Sequence, residues 1–184
     1  PMTESALTLV EEDGVVSVLD GDVELLRYTF VPTTPQLESP KPFVSPLRTR
    51  AGRVVSLFRP HDHVWHKGIA WSLPVVDDEN FWGGPTFVPG RFYVQLPNDG
   101  SQEHRENVAA EVEDGAAVFA HRLDWITEGG TRMFEERREL TARVVTDDAW
   151  VLTFETAMTN VTEATISIGS PTTRGRENAG YGGL

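Results

Sequence analysis

The sequence predicts an all-β domain built as an antiparallel β-sandwich, and three observations carry that reading. Apolar residues recur at a spacing of two, Asp-Gly pairs punctuate the runs, and no longer segment shows a 3.6-residue apolar stripe. Two packed antiparallel sheets are the simplest way to bury such strands.

The elements follow in order. Residues 7–10, 15–19 and 23–30 are β-branched or aromatic runs, separated at Asp13-Gly14 and Asp20-Gly21. Asp-Gly supplies the positive φ that tight hairpin turns require. The pattern returns at 108–113, Asp114-Gly115 and 117–126. Past Gly129-Gly130 come 132–145, then 150–159 and 164–168. Residues 31–98 differ. Ten of the twelve prolines lie between Pro32 and Pro97, and proline is excluded from central ladders. A long loop-rich excursion with short strands is expected there, and such segments usually carry function. The chain stops in a glycine-rich turn, which predicts that the sandwich continues beyond Leu184 in the natural protein.

Composition narrows the function. A chain of 184 residues fits one domain, here 1–184. It has no cysteine and a net charge of −12. The first removes thiolate chemistry; the second argues against nucleic acid, which needs a basic footprint. No apolar run approaches the roughly 20 residues of a membrane span, and no signal peptide is visible, so a cytoplasmic protein with no membrane partner is expected. Against the acidic total, residues 41–67 carry Lys41, Arg48, Arg50, Arg53, Arg59 and Lys67 with Asp62 as the single acid. That reads either as solvated strand surface or as a positive wall suited to a hydroxylated or anionic small molecule.

The segment RPHDHVWHKG (59–68) holds three of the five histidines. On an extended chain His61 and His63 share a face about 7 Å apart, while His66 needs a bend at Val64-Trp65 to join them. Three readings stand: a metal site of His61, His63 and His66 for Zn, Fe, Cu or Ni, imidazole acid/base catalysis, or a structural turn. The H-x-H spacing also opens the cupin metal motif, but Lys67-Gly68 stands where a glutamate is needed. Elsewhere, strand alternation puts Glu136 and Arg138 on one face and Glu135, Arg137 and Glu139 on the other. Trp82, between polar and glycine-rich neighbours, is the aromatic expected to be exposed for a sugar face. Arg174, Arg176 and Asn178 sit in a glycine-rich loop that can approach a ligand closely.

The segments KPFVSPLRT (41–49), RPHDHVWHKG (59–68), NFWG (80–83) and GSPTTRGRENAGYGGL (169–184) resemble a bacterial methane-oxygenase-like (PmoA-like) family of unknown function, the last of them its actinobacterial branch. The resemblance implies carbohydrate catabolism and a galactose-mutarotase-like β-sandwich. It also implies, by residue type, an acid among His61, His63 and His66, Glu136 as a base, and Arg48 as a sugar anchor. Together these readings predict a carbohydrate-processing enzyme that uses histidine acid/base chemistry on a sugar or oxidised sugar. Arg48, Arg59, Lys67, Trp82, Arg138, Arg174 and Asn178 are the expected substrate contacts. A cupin-like metal-dependent oxygenase or isomerase, and a non-catalytic sugar-binding sandwich, are the alternatives.

Overall fold

A computed structural model describes residues 7–184 and is all-β, as expected. A first antiparallel sheet runs β1 (Leu7–Glu12), β2 (Val15–Asp20), β3 (Val23–Thr29) and β4 (Phe43–Leu47), in spatial order β1-β2-β3-β4. After the short pieces β5 (Val75–Val76), β6 (Thr86–Val88) and β7 (Phe92–Val94) comes a second sheet. It is built from β8 (Ser101–Glu113), β9 (Ala116–Ile126), β10 (Arg132–Val144) and β11 (Trp150–Asn160), in order β11-β10-β9-β8. β12 (Ile168–Gly169) pairs with β5. Among the described residues no helix is long and apolar enough to cross a membrane.

The hairpins form where the Asp-Gly signals lie. At Asp13-Gly14 φ is 49° and 77°, and at Asp114-Gly115 it is 48° and 74°, the paired left-handed residues that match strand twist. Alternation then sorts the faces. Leu7, Val16, Val18, Leu26 and Tyr28 of the first sheet pack on Ala117, Phe119, Leu140 and Ala142 of the second. Each fully buried aliphatic side chain contributes on the order of 1.5–3 kcal/mol relative to exposure.

The two sheets are unequal, and that inequality positions everything else. Strands of the first sheet have 5 to 7 residues; those of the second have 11 to 13. The far half of the long sheet therefore has no strand of the first sheet opposite it. The proline-rich excursion fills that space: Leu73, Val76 and Phe81 bury themselves on Leu123, Trp125, Met133 and Phe134. It is a packed second layer, with its own core.

Two expected elements shift. β8 begins at Ser101 rather than 108, because Gln102 turns inward into a polar layer while Glu103 stays exposed. The expected strand 164–168 reduces to Ile168–Gly169. Asn160 accepts bonds from the Thr162 N–H and hydroxyl at 2.8 Å each and donates to the Ala164 carbonyl at 2.8 Å. These side-chain bonds give the backbone an alternative to a ladder.

Candidate functional site

Residues 59–68 form a tight turn instead of an extended segment. The His63 N–H donates to the Pro60 carbonyl at 3.0 Å, the His66 N–H to the His63 carbonyl at 3.0 Å, and the Arg59 N–H to the His66 carbonyl at 2.8 Å. Arg59 adopts φ 48° to close it. Extended alternation would pair His61 with His63; the turn instead pairs His63 with His66, ring centroids 5.2 Å apart, and all three histidines are exposed. Among the described residues no three His, Asp or Glu side chains are placed to hold a metal ion. The three-histidine centre is therefore corrected to a two-histidine wall.

Buried charge holds the turn in place. Glu38, 2% exposed, accepts the Arg59 fork at 3.1 and 2.6 Å and the Lys67 ammonium. Lys67 also donates to the Val64 carbonyl at 2.9 Å. Burial alone would raise the Glu38 carboxyl, but Arg59 and Lys67 overturn that and hold it below its ordinary value. Arg59 and Lys67 were expected to meet substrate; both are spent on Glu38 beneath the turn. Lys41 is also buried and donates to the carbonyls of Glu38 (3.0 Å), Ser39 (3.0 Å) and Trp82 (2.8 Å). Burial, then Lys67, pulls it down to about 7. Its bond to Trp82 fastens NFWG (80–83) to the 38–41 segment, whose Glu38 holds the histidine turn. The following glycine completes the junction: Gly84, at φ 70°, lets the Trp65 ring approach so closely that a Cβ would sit 2.7 Å from it.

The product is a cleft of about 500 Å³ lined by His63, Trp65, His66, Trp82, Tyr93, Arg176 and Tyr181, with Gly83 and Pro85. His66 meets Trp82 edge-on at 5.4 Å, and Trp82 lies 5.0 Å from Tyr181. The Tyr93 and Tyr181 hydroxyls are 2.9 Å apart. Arg176 donates to the Tyr93 hydroxyl and stacks over its ring at 4.8 Å. Burial, followed by Tyr93, pushes Tyr181 above the ordinary phenol value. His66 is pulled below the ordinary imidazole value by burial, then by His63 and Lys41. His63 Nδ1 lies 3.1 Å from the Asp62 carboxylate. A smaller hollow of about 230 Å³ shares Trp65, His66 and Trp82 and reaches Lys41 and Ser72. Trp82 is half-buried rather than exposed, a wall common to both hollows.

The second-sheet candidates lie elsewhere. Glu136 and Arg138 are both 0% exposed and pair bidentately at 2.7 and 2.9 Å. Glu136 also accepts from the Trp125 indole at 2.6 Å and the Thr156 hydroxyl at 2.7 Å. Arg138 donates to Gln102 at 2.8 Å and to the Tyr28 hydroxyl at 3.2 Å. Tyr28 stands 3.0 Å from His121 Nε2, and His121 Nδ1 stands 3.0 Å from His104 Nδ1. Tyr28 donating to His121 and His121 to His104 gives every group of this hydrogen-bonded chain a partner. Burial pushes Tyr28 up to about 12. Burial, then Arg138 and His104, pulls His121 down to about 2. Glu136 as base and Arg138 as substrate contact are thereby corrected: they belong to a closed polar layer between the sheets, satisfied and out of reach of a ligand.

The other anchors are placed apart from the cleft. Arg48 pairs with Glu24 at 2.8 Å and Arg174 with Asp78 at 3.1 Å, and neither they nor Asn178 lines it. Of the glycine-rich loop, Arg176 and Tyr181 do. Tyr181 is the residue that reading the sequence missed; an aromatic between Gly180 and Gly182 was its signal.

Fold and site together define an all-β domain with a loop-built, aromatic cleft carrying paired histidines. The profile of a family of unknown function, DUF6807, matches residues 15–184, and the chain belongs to that family. No curated protein and no solved structure matches it.

Proposed function

We propose that the protein is a carbohydrate-processing enzyme of the cytoplasm, acting on a sugar or oxidised sugar in the His63–His66 cleft. The observation that carries this is the pair of imidazoles 5.2 Å apart on the wall of an aromatic hollow of about 500 Å³. Aromatic rings offer flat apolar faces to a pyranose while tyrosine hydroxyls and imidazole nitrogens meet its hydroxyl rim.

His66, depressed below its ordinary value, is neutral at neutral pH and takes a proton from the substrate. His63, oriented by Asp62, returns one at a neighbouring position. One proton leaves and one is delivered, so the net chemistry suits ring opening, epimerisation or elimination. The segments that resemble the methane-oxygenase-like family support the same substrate class, since that resemblance implies carbohydrate catabolism.

The test is a one-dimensional proton NMR screen of neutral and oxidised monosaccharides, in which turnover appears as new anomeric or vinylic signals. Turnover by wild type that is lost in His66→Gln supports the proposal. Turnover that survives in both His63→Ala and His66→Gln sinks it. Saturable binding without any turnover in wild type converts the reading to a sugar-binding module, which the Trp82–Tyr181 wall also favours.

A further inference from the structure

We infer that the ligand of this cleft carries a carboxylate held by Arg176, which makes it a sugar acid rather than a neutral sugar. The inference rests on the carbohydrate reading above and narrows it to one substrate class.

The first argument is composition. The chain carries a net charge of −12, yet among the described residues the cleft lining includes no Asp, Glu, Asn or Gln. Neutral sugars present hydroxyls that both donate and accept, and protein carboxylates and amides are the usual acceptors for them. The one charged side chain of this wall besides the imidazoles is a guanidinium, which only donates, set among tyrosine hydroxyls and two indoles.

The second argument is the state of Arg176. Arg48, Arg59, Arg138 and Arg174 each have a carboxylate partner; among the described residues Arg176 has none. One guanidinium nitrogen, Nη1, is given to the Tyr93 hydroxyl. Its Cζ lies over the rings of Tyr93, at 4.8 Å, and Phe92, at 5.4 Å. These ring contacts consume no N–H donor, and among the described residues only Nη1 is hydrogen-bonded, which leaves Nε and Nη2 for a planar carboxylate. Gly175, at φ 96°, turns the chain just before it.

The Tyr93 and Tyr181 hydroxyls, 2.9 Å apart, add polar groups beside it. The anion is therefore placed at the Arg176 end, with the sugar ring extending along Trp82 toward His63 and His66.

Matched pairs test this: D-galacturonate with D-galactose and D-glucuronate with D-glucose, titrated by calorimetry into wild type, Arg176→Lys and Arg176→Gln, with glucose 6-phosphate as a third arm. Circular dichroism establishes that each variant is folded. The acids are expected to bind about tenfold or more tightly than their neutral partners, with an affinity that falls as salt rises. Arg176→Gln erases the difference, and Arg176→Lys, which keeps the charge and loses the fork, retains part of it. Equal binding of acid and neutral sugar overturns the inference while leaving the carbohydrate reading intact. Tighter binding of the phosphate ester overturns the carboxylate class. No binding of any sugar or sugar acid to folded wild type defeats the carbohydrate reading, and this inference with it.

Discussion

Two histidine pairs, with ring separations almost identical, lie in opposite settings. His63 and His66 stand 5.2 Å apart on the wall of an open cleft; His104 and His121 stand 5.3 Å apart at the end of a layer sealed between two sheets. The first pair sits on a turn whose shape comes from Glu38, Arg59 and Lys67. The second is wired to Tyr28, Arg138 and Glu136, all fully or almost fully buried. The difference teaches that proximity of imidazoles says little about function. What separates chemistry from architecture is whether the ring nitrogens have free space to work in or are already committed to partners.

That contrast breaks in measurable ways. The largest effect is expected in the sealed layer: Arg138→Met leaves Glu136 buried without its cation, costing about 3–5 kcal/mol, read from denaturant unfolding. If Arg138→Met unfolds at the wild-type denaturant concentration, the layer is not the structural element described here. In the cleft the sign of the experiment reverses. His66→Gln changes stability by no more than about 0.5 kcal/mol, as for an exposed site, yet lowers turnover about 10²–10⁴-fold. The acid limb of that activity lies below the ordinary imidazole value of about 6.5, because burial depresses His66.

A smaller effect lies in the cleft wall. Gly84→Ala places a Cβ against the Trp65 ring at positive φ, costing roughly 2 kcal/mol and shifting a cleft wall, so ligand affinity and melting temperature fall together. A further effect is in pH. His121 takes up no proton in the folded protein until about 2, but takes one near 6.5 once unfolded. Its contribution to stability is complete above about 6.5 and drains away as pH falls toward about 2, by at most about 1.4 kcal/mol per pH unit. Melting curves of wild type and His121→Gln between pH 7 and 4 check this: the wild type loses stability faster.

Much of the fold was legible because it is local. Asp13-Gly14 and Asp114-Gly115 state their turns in two residues, and β9 to β11 announce themselves by alternation. Alternation on β10 also separated Glu136 and Arg138 from Glu135, Arg137 and Glu139. It could not say which set lies inside, because a salt-bridged pair with a tyrosine, a glutamine, an indole and a threonine as partners arrives from four other strands. The site was legible only in part for the same reason. The histidines were found by their density, but their pairing depends on a turn fastened by Glu38, which lies 21 residues before Arg59. Arg176 and Tyr181 reach the cleft from the far end of the chain. The local cationic excess in 41–67 pointed toward a positive wall, whereas Glu24, Asp20 and Glu38 neutralise Arg48, Arg50, Arg59 and Lys67 from outside that window.

The burial of Lys41 and Lys67 has a practical reach. They are the only lysines in the chain, each 2% exposed, so the folded protein shows almost no side-chain amine to an acylating reagent. Any acylation of these two sites must wait for the layer around Glu38 to open. Its rate is a clock for local opening beside the cleft, and mass spectrometry can read that clock at each lysine separately. A ligand seated between His66 and Trp82 slows it, which gives a way to search for ligands before any reaction is known.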